Sequence, residues 1–318
     1  MPVLNQSTYR KAPFYQFNGH LQTILPGMFR TVALTYERER LDLPDGDFVD
    51  LDWVERKSRR LVILSHGLEG NSDRHYVKGM AKIFADQGWN VLAWNCRSCS
   101  GEMNRQLRLY NHGEIGDFGE VIAHALQTKD FEEVVLIGFS MGGSITLKYL
   151  GVYGKEIPVQ IKKAVTFSTP CDLKAGAAIL DEPQNRIYKN RFLKKLKIKL
   201  AAKAAQFPDA IDLTNLEKVE IWHDFDEYFS APLNGYKDAE DFYLQASAKN
   251  FMPGITIPTL LVNAANDPIL APECYPTELC EQHPHIFLEI PAQGGHVGFE
   301  LSRKPHMWSE YRALEFCS

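Results

Sequence analysis

The sequence predicts an α/β fold with a mostly parallel sheet, an antiparallel N-terminal hairpin and an inserted helical cap. From residue 60 onward, short apolar runs alternate with helix-like segments, and this rhythm is typical of parallel sheets. The rhythm stops at about residue 172, resumes at about residue 257, and leaves a segment rich in Lys, Ala and Leu between them. We therefore expect a core made of residues 1–171 and 253–318, and a cap made of residues 172–252.

Length and composition are those of an ordinary globular protein. The chain has 318 residues, of which 45% are hydrophobic, and a formal net charge of −5. A negative balance offers no general attraction for nucleic acid, so no nucleic-acid partner is expected. No signal peptide and no apolar run of about 20 residues is visible, which predicts a cytoplasmic location. The six cysteines are irregularly spaced and indicate reduced thiols rather than a disulfide framework.

The first elements are predicted to form the antiparallel edge of the sheet. Two alternating stretches, residues 32–43 and 48–54, flank a Pro-Asp-Gly-Asp turn, and this pattern is typical of a hairpin. Residues 61–64 form a continuous apolar run of the kind found in a sheet that is covered on both faces. Residues 1–30 carry few periodic signals.

The elements that follow alternate between helix and strand, with Gly88 ending the first of these helices. Helices are predicted at residues 75–87, 113–128 and 144–149, and from about residue 305. Strands are predicted at residues 90–94, 134–137, 164–167, 257–262 and 285–290.

The strand that ends near residue 138 leads into a glycine-rich turn. Residues 138–142 read Gly-Phe-Ser-Met-Gly, and the order of strand, sharp turn and helix is the context of a nucleophile elbow. Small flanking residues let strand and helix approach while the central residue takes a strained conformation. Ser140 is therefore the candidate nucleophile. A glycine-rich turn of a nucleotide-binding fold is the alternative, and the turn alone does not separate the two.

A serine nucleophile needs a base and an orienting acid. His296 lies in a Gly-flanked loop after the last strand, and Asp267 directly follows the strand before it. Functional groups gather beyond the carboxyl ends of strands in open α/β sheets. The order Ser, Asp, His is the order found in hydrolases. Asp172, which follows an earlier strand, competes as the acid, but its position between Ser140 and His296, directly after a strand, favours Asp267.

The oxyanion hole is predicted to use two backbone N–H groups. One belongs to Met141, which follows the nucleophile, and the other to Leu68 in the glycine-containing loop after residues 61–64. His66, in the same loop, is interpreted as an anchor for that loop. The alternative, that His66 is the base, is disfavoured because it precedes the elbow.

Two further patterns raise the question of other chemistry. Cys96 and Cys99 form a C-x-x-C pair, but no second pair has the spacing of a zinc site, so no metal and no cofactor is expected. Residues 186–203 contain eight Lys or Arg and no acid, with apolar residues at helical spacing. This segment is interpreted as a cap helix with a solvated face. The alternative is peripheral contact with an anionic membrane or lipid.

With these residues assembled, the chain resembles the α/β-hydrolase superfamily and, within it, the YheT-type (EMB8-like) esterases. One departure is Ser98, where glycine is more usual between Arg97 and Cys99. The resemblance is carried by six stretches, at residues 17–23, 66–70, 97–105, 138–143, 225–239 and 294–299.

The resemblance implies the α/β-hydrolase fold and hydrolysis of carboxylic esters with short or medium acyl chains, lipid esters among them. It implies the roles of nucleophile for Ser140, acid for Asp267 and base for His296. We therefore expect a serine hydrolase that cleaves a small-molecule ester through an acyl-enzyme. An acyltransferase with the same triad is one alternative, and a non-catalytic binding module on this scaffold is another. The oligomeric state is left open.

Overall fold

A nine-stranded sheet organises the structure, a computed structural model that describes residues 3–4 and 6–318. Its order in space is β1-β9-β8-β7-β6-β4-β5-β3-β2. The β2–β3 and β3–β5 pairs are antiparallel and the other six pairs are parallel, which confirms the mostly parallel sheet with an antiparallel hairpin at one edge. The strands are β1 (Val3–Leu4), β2 (Glu37–Asp42), β3 (Phe48–Val54), β4 (Arg60–Ser65), β5 (Asn90–Asn95), β6 (Glu133–Phe139), β7 (Ile161–Phe167), β8 (Thr259–Val262) and β9 (Ile286–Glu289).

Helices cover both faces of this sheet, and none in the described part of the chain is long and apolar enough to cross a bilayer. The α-helices are α1 (Gly19–Phe29), α2 (His75–Asp86), α3 (Gly116–Thr128), α4 (Met141–Tyr153), α5 (Leu173–Asp181), α6 (Arg186–Gln206), α7 (Trp222–Phe225), α8 (Ala231–Leu233), α9 (Ala239–Ala246), α10 (Thr277–Gln282) and α11 (Trp308–Cys317). A π-helical turn spans Asp226–Ser230, and short 3₁₀ turns lie at Gly154–Glu156, Pro183–Asn185, Leu213–Lys218, Ala248–Asn250, Met252–Gly254 and Pro272–Cys274.

Two apolar layers sandwich the sheet because successive side chains of a strand point to opposite faces. In β4, Leu61 and Ile63 belong to the layer beneath α3 and α4, whereas Val62 and Leu64 belong to the layer beneath α2 and α11. All four side chains are fully buried. Coverage on both faces explains why this strand reads as a continuous apolar run rather than an alternating one.

The cap occupies the chain between β7 and β8, where every described element is helical. Its helices bury an apolar cluster of their own, which includes Leu200, Trp222 and Phe229. The inserted helical cap is therefore present. Its division from the core at residues 172 and 252 stays a prediction.

Three predictions about the N-terminal third need correction. The hairpin begins at Glu37 rather than residue 32, because Glu37 pairs with Trp53 and β3 ends one residue later, which leaves earlier residues without a partner strand. The helix expected from residue 113 begins at Gly116. Helix α1 was not predicted, since it contains two glycines and Pro26 and so lacks a clear helical pattern. The short edge strand β1 was also missed.

Candidate active site

Ser140 lies in the sharp turn between β6 and α4. Its backbone has φ +53° and ψ −120°, a conformation that costs free energy for a residue with a side chain. The turn also requires close backbone approach. A Cβ on Gly138 would lie 2.4 Å from the Gly142 carbonyl oxygen, and a Cβ on Gly142 would lie 2.2 Å from the Ser65 carbonyl oxygen. The packing of β4, β6 and α4 therefore holds the serine in its strained position.

His296 and Asp267 complete a hydrogen-bonded series with Ser140. The His296 Nε2 lies 2.9 Å from the Ser140 Oγ, and its Nδ1 lies 2.8 Å from the Asp267 Oδ2. The Asp267 side chain is fully buried and the His296 side chain is 12% exposed. A neutral imidazole with its proton on Nδ1 donates to the carboxylate and leaves Nε2 free to accept from the serine hydroxyl. The arrangement can take a proton from Ser140.

The competing acid, Asp172, is engaged elsewhere. It caps α5 by accepting a hydrogen bond from the Ala175 N–H at 3.1 Å, and it forms an ion pair with Lys249. The structure thus brings Asp267, and not Asp172, to His296.

The two backbone amides predicted for the oxyanion hole lie on loops that meet at the serine. A Cβ on Gly67 would lie 3.0 Å from the Ser140 Cβ, which places the loop that carries Leu68 against the elbow. Met141 is the first residue of α4, so its N–H has no partner within the helix. Among the described residues, neither the Leu68 nor the Met141 N–H donates to a protein acceptor. Both can donate to an oxygen bound beside Ser140.

His66 holds the loop that carries Leu68 in place. Its Nδ1 donates to the Gly67 carbonyl oxygen at 2.8 Å, and its Nε2 accepts from the Cys96 N–H at 3.1 Å. Burial lowers the pKa of His66 to about 4, so the ring is neutral at pH 7. Both ring nitrogens are occupied by the backbone, and this supports the interpretation of His66 as an anchor.

Helix α1 supplies contacts to the catalytic loops that the sequence did not reveal. The Thr23 Oγ1 accepts the His296 N–H at 2.9 Å. The Gln22 Oε1 accepts both the Gly294 N–H at 2.8 Å and the Asn266 Nδ2 at 2.9 Å, so it ties the histidine loop to the aspartate loop. The only sequence signal for these residues was the resemblance of residues 17–23 to a family signature, which carried no role.

His20, in the same signature, connects α1 to the cap. Its Nδ1 lies 3.0 Å from the Tyr188 hydroxyl, and the two rings stack with centroids 5.7 Å apart. Tyr188 belongs to α6. The N-terminal helix therefore bridges the catalytic loops and the cap at the edge of the site.

Two cavities meet at Ser140, and both are also lined by His296 and Leu68. We call the first the apolar arm. It measures about 810 Å³ with its open mouth, and it lies beneath the cap. Its lining includes the apolar side chains Leu173, Leu180, Leu196, Trp222 and Phe242.

We call the second cavity the cationic arm. It measures about 870 Å³ with its open mouth, and it lies between α1, α6 and the start of α2. Three of its lining residues, Arg74, Arg191 and Lys195, carry positive charge.

The basic segment forms most of α6, but several of its cations point inward rather than to solvent. Lys199 pairs with Glu69 at 2.8 Å, and Lys189 pairs with Asp181 at 2.8 Å. Lys203 is fully buried and donates to the carbonyl oxygens of the loop after β5. The helix is as predicted, whereas the solvated face is smaller than predicted. Exposed cations on α6 are Arg186, Arg191 and Lys194.

The C-x-x-C pair lies in the interior. Cys96 and Cys99 are buried free thiols, and burial raises the pKa of both. No group of three or more metal-ligating side chains was found in residues 3–4 and 6–318. The Cys99 Sγ accepts a hydrogen bond from the Lys199 Nζ at 3.4 Å, which gives it a packing role beside the cap.

Comparisons with known proteins agree with this architecture. Residues 60–302 match the family described as alpha/beta hydrolase fold. YheT of Escherichia coli (strain K12), named as a candidate esterase, is 35% identical over 305 residues, which cover 93% of this chain and 88% of that protein. Phospholipase ABHD3 of Mus musculus is 28% identical over 309 residues, which cover 94% of this chain and 74% of that protein.

Among solved structures, the esterase Pf2001 of Pyrococcus furiosus is similar in fold, with a TM-score of 0.59 at 19% identity. The superposition covers 90% of this chain and 95% of that one. The fold class expected from the sequence is confirmed.

Proposed function

The chain belongs to the α/β-hydrolase superfamily and, within it, to the YheT-type esterases, and on that premise we propose that it hydrolyses carboxylic esters through an acyl-enzyme on Ser140. Membership makes the chain a hydrolase of the esterase and lipase type, and the roles of single residues are our proposal. The observation that carries it is the series from Ser140 through His296 to Asp267, which lies beside two amides without a protein acceptor.

In the first half-reaction, the Ser140 Oγ attacks the ester carbonyl carbon while the His296 Nε2 accepts the hydroxyl proton. Asp267 orients the imidazole and stabilises the imidazolium that forms. The N–H groups of Leu68 and Met141 donate to the oxyanion of the tetrahedral intermediate. When the intermediate collapses, the bond to the alcohol oxygen breaks, and His296 gives its proton to the departing alcohol.

In the second half-reaction, His296 takes a proton from water, and the resulting nucleophile attacks the acyl carbon. The carboxylic acid is released and Ser140 regains its proton. Helix α4 begins at Met141, so its N-terminal dipole also favours negative charge at this position. The strained serine and the fixed amides are in place before substrate binds, and little reorganisation is needed during the reaction.

The apolar arm supports an acyl chain as the buried half of the substrate, because apolar side chains from the cap line it. This agrees with short or medium acyl chains, lipid esters included. Contact with an anionic lipid surface through the exposed cations of α6 also belongs to this proposal. Its measurement is co-sedimentation with anionic vesicles, in which an Arg186→Gln/Lys194→Gln variant is expected to bind less than the wild type.

The experiment that tests the nucleophile combines labelling with kinetics. A fluorophosphonate probe is expected to modify Ser140, and Ser140→Ala is expected to lose the label and to lower kcat on a p-nitrophenyl ester by about 10⁴-fold or more. Ser144→Ala is the matched control, because Ser144 is a buried serine on α4 that donates to the Pro170 carbonyl oxygen instead. Near-wild-type turnover in Ser140→Ala would refute the assignment.

Acyl transfer is separated from hydrolysis by adding an alcohol acceptor to the same assay. We expect the carboxylic acid to remain the main product as the acceptor concentration rises. A predominance of the transferred ester would identify an acyltransferase.

A further inference from the structure

The cationic arm holds more positive charge than the protein neutralises. Arg74, Arg191 and Lys195 line it, and the single carboxylate in its described lining belongs to Glu69. That carboxylate is already engaged, because it pairs with Lys199 at 2.8 Å and accepts from the Tyr110 hydroxyl. The three cations of the arm are left without a carboxylate partner in the described chain.

The contacts of these cations orient them but do not neutralise them. The Arg74 Nη2 and the Lys195 Nζ both donate to the Glu69 carbonyl oxygen, at 2.8 and 3.1 Å. A carbonyl oxygen carries no net charge. The Arg191 guanidinium makes no ion pair and no hydrogen bond with any described residue. Burial, and then the charge of Arg74, lowers the pKa of Lys195, as expected where like charges converge without an anion.

Resting on the esterase function proposed above, we propose that the cationic arm binds a phosphate group on the alcohol half of the substrate, while the apolar arm holds the acyl chain. The substrate class is an acyl ester of a phosphorylated alcohol. A phosphate monoester carries between one and two negative charges at pH 7 and three acceptor oxygens, so it matches two arginines and one lysine better than a single carboxylate does.

The two halves of an ester extend in different directions from the carbonyl carbon, and Ser140 and His296 line both arms. Placing a charged group in the apolar arm would leave it desolvated beside side chains such as Leu173 and Leu196. An acyl chain in the cationic arm would leave three cations without an anion. The charge distribution therefore assigns each half to one arm.

The test uses two substrates that differ only in the phosphate. They are 1-octanoylglycerol and 1-octanoylglycerol 3-phosphate, both held below their micelle concentrations so that no lipid surface is present. We expect the wild type to prefer the phosphorylated ester by roughly tenfold or more in kcat/KM at low salt, where charge-assisted contacts are strongest. The preference is expected to shrink as salt rises, because salt screens exposed charges.

Variants assign the preference to the arm. Arg191→Gln and Lys195→Gln are each expected to lower the ratio of the two kcat/KM values by about fivefold to tenfold, mainly through KM for the phosphorylated ester. Arg186→Gln and Lys194→Gln are matched controls, because these exposed cations lie on the same helix outside both arms. In the controls the ratio is expected to stay at the wild-type value.

The outcomes separate this inference from the proposed function. Hydrolysis of the neutral ester without a phosphate preference overturns the inference and leaves the esterase mechanism in place. A preference that Arg191→Gln and Lys195→Gln do not reduce also overturns it. Failure of Ser140 to label, with no hydrolysis of either ester or of a p-nitrophenyl ester, overturns the proposed function itself.

Discussion

The edge of the sheet and the cap line the same cavities but are held together by different physical means. At the sheet edge, backbone geometry positions the groups, as the strained Ser140 and the close approach at Gly142 show. In the cap, long side chains of α6 reach the core, with Lys199 and Lys195 both bound to Glu69. Backbone geometry tolerates few substitutions, whereas a side-chain contact can be changed one residue at a time. We infer that chemistry is held by the first region and selectivity by the second.

Glu69 is where the two regions join. It follows Leu68, its backbone has φ +54°, and its carboxylate receives both the Tyr110 hydroxyl and the Lys199 ammonium. The position of α6 is therefore coupled to the loop that carries one of the two oxyanion amides.

The largest expected effect is at the sheet edge. Asp267→Asn is expected to lower kcat by about 10⁴-fold, because the amide would favour the wrong imidazole tautomer and would not stabilise the imidazolium. Asp172→Asn is the matched control, since Asp172 caps α5 and pairs with Lys249. In that control kcat is expected to stay within a few-fold of wild type. Equal losses of kcat in the two variants would contradict the assignment of the acid.

The next prediction compares one glycine from each region. Gly142→Ala would place a Cβ 2.2 Å from the Ser65 carbonyl oxygen, so the free energy of unfolding is expected to fall by about 4 kcal/mol or more. Gly235→Ala, in the cap, has φ +78° but no atom within 4 Å of its Cβ, so only the backbone conformation costs, about 1 kcal/mol. Denaturant unfolding measures both, and similar losses would remove the distinction between the two regions.

A third prediction concerns the contact that joins the regions. Lys199→Met leaves the Glu69 carboxylate buried without its cation, so the free energy of unfolding is expected to fall by about 3 kcal/mol. The double variant Lys199→Met/Glu69→Gln removes both charges and is expected to recover most of that stability. Lys194→Met, an exposed change on the same helix, is the control. A double variant no more stable than Lys199→Met would show that the ion pair is not the cause.

The smallest expected effects depend on pH and have opposite signs in the two regions. Burial raises the pKa of Asp226, in the cap, to about 6 from an ordinary 3.8. Between these values the folded protein holds a proton that the unfolded chain has released, so raising the pH lowers stability, by roughly 3 kcal/mol in total. Asp226→Asn is expected to abolish this loss between pH 4 and 6.

At the sheet edge, burial lowers the pKa of His66 to about 4 from an ordinary 6.5. Here the unfolded chain takes up a proton that the folded protein does not, so this contribution is full above pH 6.5 and is lost as the pH falls towards 4. His66→Gln is expected to flatten the decline in stability on that side. Urea unfolding of both variants across pH 4–8 measures the two slopes, and slopes of the same sign would contradict burial of these two groups as their cause.

Much of the sheet edge could be predicted from sequence, because local backbone demands are expressed in neighbouring residues. The glycines around Ser140 and the strand-end positions of Asp267 and His296 are examples. Helix α1 could not be predicted, since Gln22 and Thr23 serve contacts to loops far along the chain rather than a helical pattern. The inward turn of Lys199 was also hidden, because a long side chain at a helix boundary can reach either core or solvent.

Ser98 shows both sides of this lesson. Glycine is more usual at this position in the related esterases, and the structure places Ser98 at φ +60°, in the left-handed region that glycine favours. The Ser98 Oγ hydrogen-bonds with the Asn104 Oδ1 at 2.6 Å and accepts the Asn104 N–H at 3.1 Å. These contacts offset the cost of the conformation, and no sequence pattern announced them.

By itself, the sequence determined the order of the strands along the chain, the strand-turn-helix at Ser140 and the candidate reacting groups, because each depends on a few adjacent residues. Only the tertiary structure decided which acid meets His296, how the Leu68 loop is held, and that an apolar and a cationic arm meet at the serine. These features depend on contacts between distant parts of the chain, such as the one between Lys195 and Glu69, 126 positions apart. Local sequence patterns carry no record of such distances.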